Sequence, residues 1–140
     1  MNILLVDDDR LGRVMLAESL RSRQLSIIEA ESGEDAMQQW QRDRFDVVVS
    51  DILMPGMDGM ELAASIRADE ASGSSGSSGS AGPATRPVRL IALTASITGP
   101  DDEARIRGLF DVVLNKPITA ELLFKALTSL QTPGAELRHP

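Results

Sequence analysis

Short uninterrupted apolar runs, each followed by a helical pattern, constrain this chain more than any other feature. Asn2 to Val6 is the first run, Leu25 to Ala30 the second, and Phe45 to Ser50 the third and strongest. Val88 to Leu93 and Asp111 to Leu114 complete the set. Runs that stay apolar instead of alternating suit strands buried on both faces. Helical spacing follows each one. Arg10 to Arg23 carries Leu11, Val14, Met15 and Leu20, and Gly33 to Arg42 is preceded by Ser32 as N-cap, with Asp35 placed for the helix dipole. Gly59 to Arg67 sets Leu62 and Ile66 on one face, and Pro100 to Leu109 opens with Asp101, Asp102 and Glu103. Thr119 to Leu130 repeats Leu122, Leu123, Ala126, Leu127 and Leu130 at period 3.6. Strands alternating with helices imply βαβ units, hence an α/β fold with a doubly wound parallel sheet.

The acids stand where two of these runs end. Ile3-Leu4-Leu5-Val6 runs into Asp7-Asp8-Asp9, and Val47-Val48-Val49-Ser50 runs into Asp51. Ligands of such sheets bind beyond the carboxyl ends of the strands, at a topological switch point. In the flavodoxin-like strand order 2-1-3-4-5 that point lies between the first and third strands, which deliver Asp7, Asp8 and Asp51. Crowded carboxylates raise one another's pKa unless a cation lies between them, and a hard cation such as Mg²⁺ takes oxygen ligands of this kind.

Other classes of function fall away. The 140 residues hold no Cys, which excludes disulfides, thiolate metal sites and Cys nucleophiles. The single His, His139, neighbours the final Pro140, so a catalytic or zinc-binding His cluster is excluded within the chain. A net charge of −7 argues against a broad nucleic-acid surface. No apolar stretch approaches the ~20 residues that span a bilayer, and no basic n-region precedes the first run. The expectation is a cytoplasmic protein or module that contacts neither nucleic acid nor membrane.

One domain over residues 1–131 is expected, with a flexible tail at 132–140. From Ala71 to Gly82 every residue except Ala71 and Ala81 is Gly or Ser. Such a stretch reads as a flexible insertion, natural or engineered, between the third helix and the fourth strand. It would lie at the sheet edge opposite the acids, where added length costs little closure entropy.

Further landmarks follow in order: Asp51-Ile52-Leu53-Met54-Pro55-Gly56-Met57-Asp58-Gly59, then Thr94-Ala95-Ser96, then Asn115-Lys116-Pro117. With the paired acids, this ordered set resembles the receiver domain of two-component response regulators and hybrid histidine kinases. The resemblance runs from Asn2 to about Leu130, apart from the Gly/Ser stretch. It implies that Asp51 is the phosphoacceptor and that Asp8 binds Mg²⁺ directly and Asp7 largely through water. Asp51 and the backbone carbonyl of Leu53 would complete the protein's share of the metal site. Thr94 and Lys116 would contact phosphoryl oxygens, and the bond before Pro117 would be cis and aim the lysine inward. The implied donor is a phosphohistidine on a histidine kinase or histidine phosphotransfer domain. The implied output face is the fourth helix, fifth strand and fifth helix. Such a protein is a signalling switch and not an enzyme beyond its own phosphorylation and dephosphorylation.

Other residues read as structural. Asp9 is a solvated or capping residue, Asp58 a turn residue, and Gly56 and Gly59 serve loop geometry. Trp40 and Phe110 are packing residues. Two positions depart from the family pattern. Val113 stands where many receivers have a switch aromatic, and Leu53 sets an apolar side chain beside the phosphoryl site. Two other readings compete: a haloacid-dehalogenase-like phosphatase with Asp7 as nucleophile, and a phosphorylation-independent interaction module. The first leaves Asp51 and its loop unexplained; the second has no use for Asp8, Asp51, Thr94 and Lys116 together.

Overall fold

The structure is a computed structural model that describes residues 1–72, 87–95 and 100–131. Five parallel strands, β1 (Asn2–Val6), β2 (Ser26–Ala30), β3 (Val47–Asp51), β4 (Arg89–Thr94) and β5 (Val112–Asn115), form one sheet in the order β2-β1-β3-β4-β5. The helices α1 (Arg10–Arg21), α2 (Gly33–Arg42), α3 (Gly59–Ser72), α4 (Pro100–Leu109) and α5 (Ala120–Gln131) alternate with them. This is the flavodoxin-like order expected from the pattern.

The pleat divides the apolar residues between two layers. Leu4, Val6, Val48, Leu90 and Ala92 face one way and pack with Ala36, Leu62, Ile66, Ile106 and Phe110 of the α2–α3–α4 side. Ile3, Leu5, Val47, Val49, Ile91 and Leu93 face the other way and pack with Ala17, Leu20, Leu123 and Leu127 of α1 and α5. Each fully buried aliphatic side chain contributes on the order of 1.5–3 kcal/mol. Trp40 packs against the first layer, and its indole N–H donates to Asp69 at 2.8 Å.

Two helical faces differ from the expected ones. In α1 the inward residues are Arg13, Ala17 and Leu20, whereas Leu11 (70% exposed) and Met15 (61%) point outward. A charged residue takes a core position there because its guanidinium finds partners beneath the helix. In α5, Leu123, Leu127 and Leu130 are buried and Leu122 is exposed.

Helix starts follow local capping chemistry. Ser32 Oγ accepts from the Asp35 N–H at 3.0 Å, as expected. Thr119 lies just outside α5 and accepts from the Leu122 N–H at 3.1 Å. Asp58 is more than a turn residue: it accepts from the Glu61 N–H while Glu61 accepts from the Asp58 N–H, a reciprocal capping box. Asp9 takes the N-cap position of α1 without a side-chain cap bond.

α3 continues past Arg67 to Ser72, so Ala71 and Ser72, expected to open the Gly/Ser coil, are helical. The extra turn is held by contacts to the start of β4. Glu70 accepts from the Val88 N–H at 2.7 Å, and Arg67 donates to the Val88 carbonyl at 2.8 Å. Arg67 also reaches Asp111 at 2.9 Å, and Asp111 accepts from the Leu90 N–H. The remainder of the expected insertion, the tail at 132–140, Ser96, and the side chains of Asp101 and Asp102 lie outside the described residues. No described helix is long and apolar enough to cross a membrane.

Candidate functional site

Parallel register brings the acids together. Val6 pairs with Ser50 across β1 and β3, so the residues that follow, Asp7 and Asp51, emerge side by side at the carboxyl edge. Carboxylate oxygens of Asp7, Asp8 and Asp51 all lie within 4.8 Å of one another. Asp7 and Asp51 are buried and Asp8 is exposed, so the cluster is anchored from below and open above.

Lys116 supplies the counter-charge. Its Nζ lies 3.1 Å from Asp51 Oδ2 and 3.5 Å from Asp7 Oδ2. The Lys116–Pro117 peptide is cis, and the Lys116 N–H donates to the Thr94 carbonyl at 2.8 Å, tying β5's end to β4's. Thr94 is 2% exposed and one residue beyond Leu93, the register partner of Asp51. The structure thus brings Asp7, Asp8, Asp51 and Lys116 into contact distance and places Thr94 on the neighbouring strand end. Leu53 follows in the loop with its side chain 70% exposed, and its backbone N–H hydrogen-bonds the Asp51 carboxylate.

Burial pushes the Asp51 carboxyl above its ordinary value, and the Asp7 charge adds to the rise; the hydrogen bond and charge of Lys116 pull it back without cancelling it. Burial alone would lower the Lys116 ammonium, but Asp51 and Asp7 together hold it above its ordinary value. Lys116 therefore stays charged at neutral pH, and the charged form of Asp51 is held at a cost.

The loop from Ile52 to Asp58 is fastened at several points. The Ile52 N–H donates to the Leu93 carbonyl and the Gly59 N–H to the Ile52 carbonyl. Gly59 lies so close to the phosphoacceptor candidate that an added Cβ would meet the Asp51 carbonyl oxygen at 2.3 Å. Gly56 has φ +74°, the left-handed region glycine favours. Glu34, at the start of α2, accepts from the Met57 N–H at 3.2 Å.

Sequence reasoning missed Arg13 and Glu34. Arg13 was hidden inside an otherwise apolar helical pattern, and Glu34 acts on a loop distant in sequence. Neither carries a local motif.

The donor set fits a hard divalent cation. Three hard carboxylate oxygens converge, one of them exposed, with no softer ligand among them.

Comparisons agree with this geometry. The family model described as response regulator receiver domain matches residues 3–128. The sensor histidine kinase RcsC of Escherichia coli is 32% identical over 128 residues, covering 91% of this chain and 12% of RcsC. The chain spans between 6% and 25% of the length of the curated relatives it matches. Among solved structures, the Thermotoga maritima response regulator TrrA, in complex with Mg(2+)-BeF, is 28% identical with a TM-score of 0.72, over 92% of this chain and 97% of that one. The receiver domain of Saccharomyces cerevisiae Ssk1, co-crystallised with the histidine phosphotransfer protein Ypd1, is 27% identical with a TM-score of 0.78, over 92% and 87%. A match of that extent leaves the phosphatase alternative without support. With strand order, acidic edge, lysine and family model in agreement, the chain belongs to the response regulator receiver domain family.

Proposed function

We propose that this receiver accepts a phosphoryl group on Asp51 from a phosphohistidine donor and passes the change to a partner. The observation that carries the reading is the Asp51 carboxylate itself. It is buried at a strand end, 3.1 Å from Lys116 Nζ and within 4.8 Å of two further carboxylates. In the transfer an Asp51 carboxylate oxygen forms the new bond to phosphorus as the bond to the donor imidazole nitrogen breaks. The freed imidazole keeps the electron pair and takes up a proton.

Phosphoryl transfer depends on positioning and charge neutralisation more than on covalent help. Asp7, Asp8, Asp51 and the Leu53 carbonyl would hold Mg²⁺, which when bound offsets negative charge on the carboxylates and the phosphoryl oxygens. Lys116 already faces Asp51 and would turn to a phosphoryl oxygen, while the Thr94 hydroxyl would donate to another. The Leu53 N–H orients the acceptor carboxylate.

The donor would seat on the outward face of α1. That helix begins directly after Asp9, and Leu11 and Met15 expose apolar surface one turn apart. The Ssk1 receiver's co-crystal with a phosphotransfer protein supports this class of partner. The output face would be α4–β5–α5, where β5 is the sheet's edge and Val112, Val113 and Leu114 are only half-buried. With Val113 in place of an aromatic, switching would depend on movement of Thr94.

Intact-mass analysis after incubation with Mg²⁺ and acetyl phosphate tests the reading, with Asp51→Asn in parallel. One phosphoryl adduct that needs Mg²⁺ and vanishes in the variant is expected. An adduct that survives Asp51→Asn overturns the assignment of the acceptor. A folded wild type that takes no phosphoryl group from acetyl phosphate or from a phosphohistidine donor favours a phosphorylation-independent module.

A further inference from the structure

Every polar atom of Asp7 is held, and one of its partners comes from beneath the helix. Its N–H donates to the Ala30 carbonyl at 3.1 Å, its Oδ1 accepts from the Asp9 N–H at 2.9 Å, and its Oδ2 faces Lys116. Its carbonyl accepts from Arg13 Nη1 at 2.8 Å, a buried contact. Arg13 is only 9% exposed. Its Nε is paired with Glu29 Oε1 at 3.0 Å, and Glu29 Oε2 meets Arg21 Nη1 at 3.3 Å. Arg21 in turn donates to the Ile27 carbonyl at 2.8 Å. The charge of Arg13 is thus answered on the β2 side, and what it directs at the acidic pocket is a hydrogen bond.

That arrangement matters because the three carboxylates repel. A turn free to relax would let Asp7 and Asp8 move apart, and a cation would have to draw them together again at the expense of affinity. A planar guanidinium with donors fixed in a fork holds a carbonyl and a carboxylate at once with less ordering than an ammonium on a flexible stem. We propose that Arg13 is a positioning residue for the cation site, holding the Asp7 carbonyl and with it the turn that presents the Asp7 and Asp8 carboxylates. The inference rests on the reading of the pocket as a cation-dependent phosphoacceptor site.

Calorimetric titration with Mg²⁺ of the wild type, Arg13→Gln, Arg13→Lys and Arg67→Gln tests it. Hydrogen exchange of the Asp9 amide is followed in the metal-free proteins. Arg13→Gln is expected to bind Mg²⁺ about 10-fold more weakly, the scale seen when a residue supporting a metal ligand is lost. Its Asp9 amide exchanges faster even without metal. Arg13→Lys falls between it and the wild type, and serves alone if the Gln variant does not fold. Arg67→Gln breaks an ion network at the opposite sheet edge and is expected to lower the melting temperature while Mg²⁺ affinity stays within about twofold. Wild-type Mg²⁺ affinity in both Arg13 variants overturns the positioning role alone. An equal loss of affinity in Arg67→Gln shows that general stability is responsible and also overturns it. A wild type that binds no Mg²⁺ overturns the reading of the site as well.

Discussion

Replacing Asp51 by Asn should stabilise the metal-free protein while abolishing its phosphorylation. With an effective dielectric constant of about 20, Asp7 within 4.8 Å repels the Asp51 carboxylate by at least about 3.5 kcal/mol, and Lys116 at 3.1 Å attracts it by about 5 kcal/mol. The exposed Asp8 adds repulsion of about 1 kcal/mol through water. These charges nearly cancel, so burial decides, and burial holds the Asp51 carboxyl above its ordinary value. An Asn of the same shape escapes that cost. The expected gain is about 1 kcal/mol, or about 4 °C in melting temperature for a domain of this size. The sign of the pH dependence follows. A folded carboxyl with a raised pKa binds more protons than the unfolded one, so stability falls as pH rises through that window. The advantage of the variant should therefore be absent below the ordinary carboxylate range, open as pH rises through the raised value, and stay constant above it. Mg²⁺ at ten times its Kd should return about 1.4 kcal/mol to the wild type and much less to the variant. Thermal melts from pH 3 to 8, with and without Mg²⁺, read all of this. A metal-free variant less stable than the wild type at pH 7, or a difference that ignores pH, would refute the reasoning.

Four further outcomes are expected. Lys116→Met leaves Asp51 and Asp7 without their counter-charge, so metal-free stability at pH 7 falls by about 1–2 kcal/mol in chemical denaturation, after allowance for solvent around the lysine. Phosphorylated Leu53→Asn should decay faster than the wild type, because a polar side chain there can guide attacking water; identical decay in a mass-spectrometric time course would remove that role for Leu53. Gly59→Ala drives a methyl into the Asp51 carbonyl and should cost about 1–3 kcal/mol, together with slower phosphorylation by acetyl phosphate. Leu11→Glu with Met15→Glu should slow transfer from a phosphohistidine donor by about tenfold more than transfer from acetyl phosphate, measured in parallel time courses.

The fold was legible because five apolar runs are hard to arrange in any other way, and Asp51 was legible because it ends the strongest of them. The pairing of Asp51 with Lys116 was not visible from spacing, since the two are far apart in sequence and meet only through the β3–β4–β5 register. The inward face of α1 was misread. Leu11 and Met15 follow helical periodicity, yet the helix turns Arg13 inward, because one buried arginine satisfies both a carbonyl and Glu29. Asp58 was underread for the opposite reason: Asp58-Gly59-Met60-Glu61 is a local capping signature, overshadowed by the Asp-Gly turn within it. The end of α3 depends on Asp69 and Glu70 finding Trp40 and Val88, partners that no local pattern announces.

The grip of α3 on Val88 has a use beyond stability. Glu70 takes the Val88 N–H and Arg67 its carbonyl, so the described residues on either side of the Gly/Ser stretch are fastened to each other by the folded body. What is strung between them need not shape either end, and doubling its length would add only about 0.6 kcal/mol of closure entropy. The place is a natural graft point: a reporter or an affinity module spliced there would be anchored at the edge opposite the acidic pocket.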